Sequence, residues 1–372
     1  MRLQKISVTF EGSKKLINRI LTIKLSNLTN MKKCNCFCSI IPPIMVDNLK
    51  KNGVDIGKGT VNMDKGFRLR RILKQESMNL MGVVQPLVGN ANRLIYDCQH
   101  TTNRQLALMR NEGSAVSTDA SVNNAYDFSG KVREFYKTVL GWNSIDNNGL
   151  DMILNVHYSN KYNNAFWDGT QMIFGDGDGV IFIDFTKSLD VTGHEMSHGV
   201  VQYTANLTYN KQSGALNEHY ADALGISVKQ FALGQTALTS DWLIGADIMG
   251  PQLQGMAIRS MKAPGTAYNS PLLGKDPQPD NMSKIYTGAA DNGGVHINSG
   301  IPNKVFYLVA IGIGTMETAK LWFETLKVLK PATNFNSFRT AIKKMTKQMV
   351  TAGKLPATTS GIVDNAFITV GL

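Results

Sequence analysis

The spacing of hydrophobic residues changes part-way along the chain and predicts two groups of elements. Apolar and polar residues alternate in 93–100 (RLIYDCQH) and 153–158 (ILNVHY), which is typical of half-buried strands. Between them, 121–141 carries apolar residues at helical spacing, whereas 163–185 alternates short apolar pieces with Gly and Asp turns. Later apolar stripes predict helices at 213–232, 296–312, 316–329 and 336–349. We therefore expect an α+β fold, with a β-rich lobe followed by a helical lobe and a cleft between them.

The region before residue 91 has a different character. SIIPPIMVDNLKKNG, at 39–53, predicts an extended arm that enters a short helix, because proline fixes φ and suits a first helical turn. Residues 50–90 are polar, basic and weakly periodic. The predicted division is an over-long start or leader at 1–30, a short prosegment and linker at 31–90, a β-rich catalytic lobe at 91–205 and a helical lobe at 206–372.

The net charge of +11 belongs to the N-terminal quarter of the chain. Residues 1–90 hold 16 Lys and Arg against 5 Asp and Glu, whereas residues 91–372 hold 23 of each. The neutral remainder argues against a nucleic-acid-binding or other polyanion-binding domain. No apolar run reaches the roughly 18 residues that span a bilayer. We therefore expect neither a nucleic-acid nor a membrane partner.

Cysteine usage and the N-terminal residues do not indicate a secretory route. Cys34, Cys36 and Cys38 are crowded at alternate positions, and with Cys98 they cannot form a disulfide framework for 372 residues. Charges interrupt residues 1–30 and leave no clean apolar core for a signal peptide. We expect a monomer that is synthesised in the cytoplasm, with unconventional export as the open alternative.

The clearest chemical signal is HEMSH, within 191–203. On a helix, His194 and His198 lie one turn apart on one face, where both imidazoles can reach one metal ion. Glu195 is rotated away from them and can take a proton from a metal-activated water, which is the metalloprotease interpretation of H-E-x-x-H. Two solvated histidines on a surface helix would give the same letters, so the rest of the chain has to supply the other parts.

A catalytic zinc ion usually has three protein ligands, which predicts a third one downstream. Val201 and Thr204 exclude the pattern H-E-x-x-H-x-x-G-x-x-H. The other known pattern uses a glutamate on a second helix, and Glu218 in SGALNEHYADALG fits it. Asp222 follows one turn later on the same face, where it can accept a hydrogen bond from a ligand histidine. His219 competes as a ligand, but it should point off that face.

A hydrolytic site of this kind also needs donors for the developing oxyanion. DNGGVHINSG supplies His296, with Asp291 five residues earlier to hold its tautomer and favour the protonated form. Tyr209 offers a phenolic donor. Two neutral imidazoles and one carboxylate would leave the zinc site with a net positive charge, which lowers the pKa of the bound water toward roughly 7. Glu195 would then act as the general base on that water.

Several motifs stand in a fixed order between residue 93 and the C-terminus: RLIYD, AYDF, NNAFWDG, GDGDG, GHEMSHGVVQYTANL, SGALNEHYAD, IRSM, DNGGVHINSGIPNK and DNAFITVGL. In this order they resemble the thermolysin-like (M4) zinc metallopeptidases, most closely the protealysin-like subgroup with short prosegments. The resemblance implies a two-lobed thermolysin-like fold and a zinc endopeptidase that cleaves on the amino side of apolar residues. A catalytically silent peptide-binding pseudoenzyme is the alternative, although every residue that the chemistry needs is present.

The resemblance also assigns residues by position. The implied ligands of one zinc ion are His194, His198 and Glu218. The implied catalytic residues are Glu195, His296, Tyr209 and Asp291, with Asp222 supporting the ligands. The residues implied to bind substrate are Asn164 and Ala165 on its backbone, Arg259 on a carbonyl, and Phe182, Phe185, Val191, Ile244 and Ile258 around the side chain after the scissile bond.

Thermolysin-like enzymes often bind two calcium ions in a carboxylate cluster, and this cluster is depleted here. The carboxylates that remain are Asp190, Asp241 and Asp247, and the residues that replace usual acids are Lys229, Leu243 and Ala246. Since a lysine ammonium can neutralise leftover carboxylates, we expect the paired calcium site to be lost, with room left for a single calcium ion.

SIIPPIM resembles the prosegment motif of the protealysin-like subgroup. This implies a zymogen whose first 80–90 residues occupy or cover the cleft and act as an intramolecular inhibitor. One interpretation of Cys34, Cys36 and Cys38 is that a thiolate caps the zinc ion. The other is that they are unpaired cysteines in a removable segment.

Overall fold

The computed structural model describes residues 39–54 and 90–372. Within these residues the helices are α1 (Pro43–Lys51), α2 (Ala120–Thr138), α3 (Leu189–Tyr203), α4 (Lys211–Leu233), α5 (Ala290–Asn298), α6 (Gly300–Ile313), α7 (Thr315–Leu326), α8 (Phe335–Thr351) and α9 (Thr359–Thr369). The strands are β1 (Arg93–Asp97), β2 (Ala107–Asn111), β3 (Met152–Val156), β4 (Ala165–Trp167), β5 (Met172–Phe174), β6 (Leu243–Ile244), β7 (Arg259–Ser260), β8 (Asn269–Ser270) and β9 (Gly274–Lys275). Longer strands come first and most helices follow, so the predicted α+β fold is confirmed.

Five strands form one sheet in the order β2-β1-β3-β5-β4. β1, β3 and β5 run parallel, and the outer strands β2 and β4 pair antiparallel with their neighbours. Asp119 caps the N-terminus of α2, because its side chain accepts from the backbone N–H groups of Ser121 and Val122. β4 has a strand on one side only, which leaves its other edge able to pair with an extended segment.

Helices α3 and α4 approach each other closely at two glycines. A Cβ atom on Gly193 would lie 3.0 Å from the Cα of Gly225, and one on Gly225 would lie 2.8 Å from the carbonyl oxygen of Asp190. Larger residues would therefore push the helices apart. The close packing brings the polar side chains of both helices to one point between the lobes.

Residues 39–54 pack against the rest of the molecule. Met45, Val46 and Leu49 on α1 are buried. Asn48 Nδ2 donates to the Leu273 carbonyl oxygen at 2.6 Å, which adds a polar contact with the turn between β8 and β9. The predicted short helix is present, whereas the chain bends at residues 39–41 and only Pro42, directly before the helix, is extended.

The helices predicted at 213–232, 316–329 and 336–349 correspond to α4, α7 and α8, with ends shifted by one to three residues. The stripe at 296–312 covers two segments, α5 and α6, which meet at Ser299. Helix α9, strand β2 and the four two-residue strands β6 to β9 were not predicted. No helix in the described ranges is long and apolar enough to cross a bilayer. The predicted leader at 1–30 and Cys34, Cys36 and Cys38 lie outside the described residues, so zinc capping by a thiolate stays a prediction.

Candidate active site

Three side chains from two helices meet between the lobes. His194 and His198 lie on α3, Glu218 lies on α4, and all three are fully buried. The two Nε2 atoms are 3.1 Å apart. Glu218 Oε1 is 3.3 Å from His198 Nε2, and Glu218 Oε2 is 3.6 Å from His194 Nε2. One potential ligand atom of each residue lies within 4.8 Å of the others, as around a single ion.

The outer ring nitrogens determine which tautomer each histidine adopts. His194 Nδ1 lies 2.8 Å from Asp222 Oδ1, and His198 Nδ1 lies 2.8 Å from Asn217 Oδ1. Because an ionised carboxylate and an amide oxygen only accept, both Nδ1 atoms carry the proton and both Nε2 atoms present lone pairs. Two lone pairs at 3.1 Å repel each other unless a cation lies between them. This donor set therefore fits zinc.

Glu218 gives a second sign of a cation site. Its Oε2 atom is buried and accepts no hydrogen bond within the described part of the chain. A buried carboxylate oxygen of this kind is costly unless a positive charge compensates it.

Asp222 is held ionised by its neighbours. Arg259 donates from Nε to Asp222 Oδ2 and from Nη2 to Oδ1, each at 2.8 Å, and Asn303 donates to Oδ2 at 2.9 Å. Burial opposes the charge, but the Arg259 guanidinium and His194 hold the pKa of Asp222 well below its ordinary value. A carboxylate that stays ionised keeps His194 oriented.

Glu195 lies beside the three candidate ligands and is fully buried. Its Oε2 atom accepts the backbone N–H of Trp167 at 2.9 Å, so strand β4 fixes the position of the carboxylate. One short strand therefore positions the candidate base and, through Ala165, offers an open edge to an extended segment.

His296 and Tyr209 approach the same point from the helical lobe. The Tyr209 hydroxyl donates to Glu218 Oε1 and lies 3.2 Å from His296 Nε2. Asp291 Oδ1 is 2.6 Å from His296 Nδ1, and Asp291 Oδ2 accepts the His296 backbone N–H at 2.7 Å. Burial disfavours the imidazolium, but Asp291, and after it Glu218, raise the pKa of His296. His296 is therefore a candidate charged donor.

A segment of the chain's own N-terminal region lies beside these groups. The Ile40 N–H donates to the Ala165 carbonyl oxygen on the open edge of β4 at 3.3 Å. The Ile40 carbonyl oxygen accepts from Arg259 Nη1 at 3.3 Å. The Ser39 carbonyl oxygen lies 3.2 Å from His296 Nε2. The peptide bond between Ser39 and Ile40 therefore lies next to the candidate catalytic groups.

Asn164 holds the same segment through its side chain. Its Oδ1 atom accepts the Ile41 N–H at 3.2 Å, and its Nδ2 atom donates to Ser39 Oγ at 2.8 Å. Asn164 and Ala165 thus hold residues 39–41 through one backbone and two side-chain hydrogen bonds.

The five predicted pocket residues all lie in the apolar interior. Each has at most 1% of its surface exposed: Phe182, Phe185, Val191, Ile244 and Ile258. Ile40 and Ile41 are also fully buried, in the same hydrophobic cluster. Both isoleucines therefore belong to the same apolar core as the five predicted pocket residues.

The depleted carboxylate cluster contains a buried lysine. Lys229 Nζ lies 2.9 Å from Asp190 Oδ2 and 3.4 Å from Asp247 Oδ2. Burial opposes the ammonium charge, but Asp190 raises the pKa of Lys229, and Asp247 and Asp241 raise it to a smaller extent. The remaining carboxylates therefore surround an internal cation.

Two further groups orient the site, and neither was predicted from the sequence. Asn217 orients His198, and the Trp167 backbone N–H holds Glu195. A polar residue next to Glu218 in an otherwise apolar helix could have indicated Asn217, but no sequence signal marks a backbone amide. His219 points elsewhere, as expected: it bonds Asn303 and Trp322, and burial lowers its pKa to about 4.

Two family profiles cover most of the chain. "Thermolysin metallopeptidase, catalytic domain" matches residues 75–202, and "Thermolysin metallopeptidase, alpha-helical domain" matches residues 205–372. Protease PrtS of Photorhabdus sp. (strain Az29) is 43% identical over 316 residues, which are 82% of this chain and 85% of that protein. The chain belongs to the thermolysin family of metallopeptidases.

Other relatives of this thermolysin-family chain agree. The extracellular metalloprotease of Pectobacterium carotovorum subsp. carotovorum is 40% identical over 352 residues, which cover 91% of this chain and 98% of that protein. The solved precursor of protealysin, a metalloproteinase from Serratia proteamaculans, is 40% identical with a TM-score of 0.76, covering 90% of this chain and 99% of that one. The predicted protealysin-like subgroup, thermolysin-like fold and zinc-dependent endopeptidase activity are confirmed.

Proposed function

We propose that this thermolysin-family endopeptidase is a zymogen that cleaves peptide bonds on the amino side of apolar residues, and that residues 39–41 block its cleft. One observation carries the proposal. The Ser39–Ile40 peptide bond lies among the candidate catalytic groups, with Ile40 hydrogen-bonded to Ala165 and Arg259 and the Ser39 carbonyl beside His296.

The proposed ligands of one zinc ion are His194, His198 and Glu218. When bound, zinc supplies a Lewis acid that polarises the scissile carbonyl and lowers the pKa of water. Asp222 and Asn217 hold the two imidazoles in the tautomer that presents Nε2 to the ion.

Glu195 is the proposed general base. Its carboxylate takes a proton from the attacking water and delivers it to the leaving amine. The hydrogen bond from the Trp167 backbone holds the carboxylate in place, and a positioned base of this kind contributes about 10²- to 10⁴-fold in rate.

His296 and Tyr209 are the proposed donors to the oxyanion. The contact of His296 Nε2 with the Ser39 carbonyl oxygen supports this role, because that carbonyl stands in for the carbonyl of a substrate. Asp291 acts through His296 by fixing its ring and favouring its protonated form.

Substrate binding follows the contacts of the chain's own segment. Asn164 and Ala165 would pair with the backbone after the cut, and Arg259 would hold its first carbonyl. The side chain in the position of Ile40 would enter the apolar interior lined by Phe182, Phe185, Val191, Ile244 and Ile258. A charged side chain would lose its hydration there without gaining a partner, so an apolar residue is preferred.

The proposed zymogen does not use the paired calcium site of its family. Lys229 sits among Asp190, Asp241 and Asp247 and neutralises them without a metal. Titration of calcium into the purified chain should shift the melting temperature by less than about 1 °C. A ligand stabilises the folded state only when it binds, and here the site is lost. A rise of several degrees would contradict the loss of the site.

Hydrolysis of a quenched peptide by the mature enzyme, after its N-terminal segment has been released, tests the main function. The peptide should carry one apolar residue after the cut, and a matched peptide should carry aspartate there. We expect turnover of the first, little of the second, and a loss of about 10²- to 10⁴-fold with Glu195→Gln, which is nearly isosteric.

Two controls separate the possible outcomes. Addition of a zinc chelator should abolish turnover. Turnover that persists with the chelator, or a rate that Glu195→Gln does not reduce, would refute the mechanism. Loss of thermal stability on chelation, without turnover under any condition, would favour the peptide-binding pseudoenzyme.

A further inference from the structure

The chain contains six histidines, and four of them already have a place. His194, His198 and His296 belong to the active site, and His219 is a neutral core residue. The other two, His100 and His157, follow β1 and β3 and lie next to each other outside the active site. Their ring centroids are 5.4 Å apart, and the His100 backbone N–H donates to the His157 carbonyl oxygen at 2.9 Å.

These two histidines share one carboxylate. His157 Nδ1 lies 2.9 Å from Asp176 Oδ1, and His100 Nδ1 lies 3.2 Å from Asp176 Oδ2. One potential ligand atom of each of the three residues lies within 4.8 Å of the others, as in the catalytic trio. Two imidazoles and a carboxylate are a donor set that suits zinc, copper and nickel.

A fourth residue orients His157. Its Nε2 atom lies 2.9 Å from Asp119 Oδ2, while Asp119 Oδ1 accepts the N–H groups that begin α2. The carboxylate is therefore fixed by the helix cap, and it takes the outer N–H of the ring. Histidines that bind metal are held in this way, and His194 is held by Asp222 through the same kind of contact.

Charge balance also favours a cation here. Asp119 and Asp176 bring two negative charges, which His157 as an imidazolium balances only in part. A divalent ion that replaces the proton on His157 Nδ1 would balance both carboxylates. Because a histidine must be deprotonated at the nitrogen that binds a metal, the ion binds better at mildly alkaline pH.

We propose that His100, His157 and Asp176 form a second metal site, for Zn²⁺ or a similar divalent transition-metal ion. The ion would join the chain just after β1, β3 and β5. Because His100 is exposed, water could complete its coordination. The site is structural and lies on the β-rich lobe, apart from the reaction.

Metal counting tests the site directly. The full chain carrying Glu195→Gln, which prevents self-digestion and leaves every proposed ligand intact, is freed of metal and titrated with zinc at about pH 8. Equilibrium dialysis with elemental analysis should give two equivalents of zinc per chain. The second equivalent should raise the melting temperature by about 2–5 °C at saturating zinc.

Single substitutions locate the second ion. His100→Asn should bind one equivalent and lose the temperature rise, and asparagine tolerates the left-handed backbone at this position (φ 54°). Gln99→Asn is the matched control, because residue 99 has the same conformation (φ 52°) and should keep both equivalents. Asp176→Asn should behave like His100→Asn.

Two results would overturn the proposal. The chain that carries Glu195→Gln alone could bind a single equivalent of zinc. Alternatively, the second equivalent of zinc could persist after His100→Asn and Asp176→Asn. Far-UV circular dichroism and the retained catalytic equivalent show in each case that the variant is folded.

Discussion

Asp291 shows how one side chain can determine the chemistry of another. It adopts a left-handed backbone conformation (φ 53°), at the start of four consecutive residues of this kind in α5. This conformation lets both carboxylate oxygens face His296, one on the ring and one on the backbone N–H. Asparagine and aspartate accept such a backbone more readily than most residues.

Asp291→Asn therefore removes the charge and keeps the backbone. We expect kcat to fall about 10- to 100-fold with KM nearly unchanged, because a donor to the oxyanion acts mainly in the transition state. Steady-state kinetics on the quenched peptide measure both. Asp364→Asn, at a carboxylate on α9 paired with Lys343, should leave both values unchanged. An equal effect of the two substitutions would show that Asp291 has no special role.

At the scale of elements, the site depends on the distance between α3 and α4. The helical period places His194 and His198 on one face, but it does not bring Glu218 to them. Gly193 and Gly225 do this by removing the side chains that would otherwise separate the helices. The two glycines are therefore as necessary to the ligand cluster as the motif itself.

A second junction, in the β-rich lobe, joins β1, β2 and α2 through one carboxylate. Glu112 accepts from Arg93 Nε at 2.8 Å and from Arg133 Nη2 at 3.1 Å. The hydrogen bond from Arg93, aided by Arg133, lowers the pKa of Glu112 to about 2. A folded pKa below the unfolded value of 4.5 stabilises the protein above pH 4.5, and this contribution is lost as the pH falls toward 2.

Glu112→Gln should therefore lower the free energy of unfolding at pH 7 by about 1 kcal/mol, a value reduced for the partial exposure of the carboxylate. The difference in the free energy of unfolding between the variant and the parent chain should become smaller as the pH falls from about 4.5 to about 3. Urea unfolding across this range measures it. Glu134→Gln, in an exposed pair with Lys131, should change stability by less than about 0.5 kcal/mol. If the difference in the free energy of unfolding between Glu112→Gln and the parent chain did not change with pH, the stabilising role of ionised Glu112 would be contradicted.

At the scale of the whole molecule, residues 39–54 contact both lobes. Ile40 pairs with Ala165 in the β-rich lobe and accepts from Arg259 on β7, while Asn48 bonds the turn after β8. In our proposal, the bound segment denies a substrate both the edge of β4 and Arg259. In the proposed zymogen, activity therefore depends on its release.

Ile40→Asp would place a charge in this interior and should weaken the bound segment. We expect the intact chain to hydrolyse the quenched peptide at least about 10-fold faster at the first time points, since burying an unpaired carboxylate costs several kcal/mol. Asp47→Asn on the exposed side of α1 is the control and should keep the parent rate. Equal initial rates would show that the segment does not inhibit.

The sequence by itself determined the features that depend on local periodicity and on ordered motifs. The helical period placed His194 and His198 together, the stripes at 213–232 and 336–349 located α4 and α8, and the family motifs gave the fold and activity. Strand β2 and helix α9 were not predicted. The residues of β2 are mostly exposed and give no alternating apolar pattern. Helix α9 packs against α6 and α8, which are separate elements of the helical lobe.

Only the tertiary structure decided which distant groups meet. The close approach of the helices at Gly193 and Gly225, where an added Cβ atom would lie only 3.0 Å from the opposite backbone, brings Glu218 to the histidines. The fold also brings the Ser39 carbonyl to His296 across 257 positions of sequence. His100 and His157 likewise become neighbours only when β1 and β3 pair in parallel. The physical reason is the same in each case. A local pattern fixes the direction of a side chain, whereas contacts between elements are selected by the packing of the whole chain.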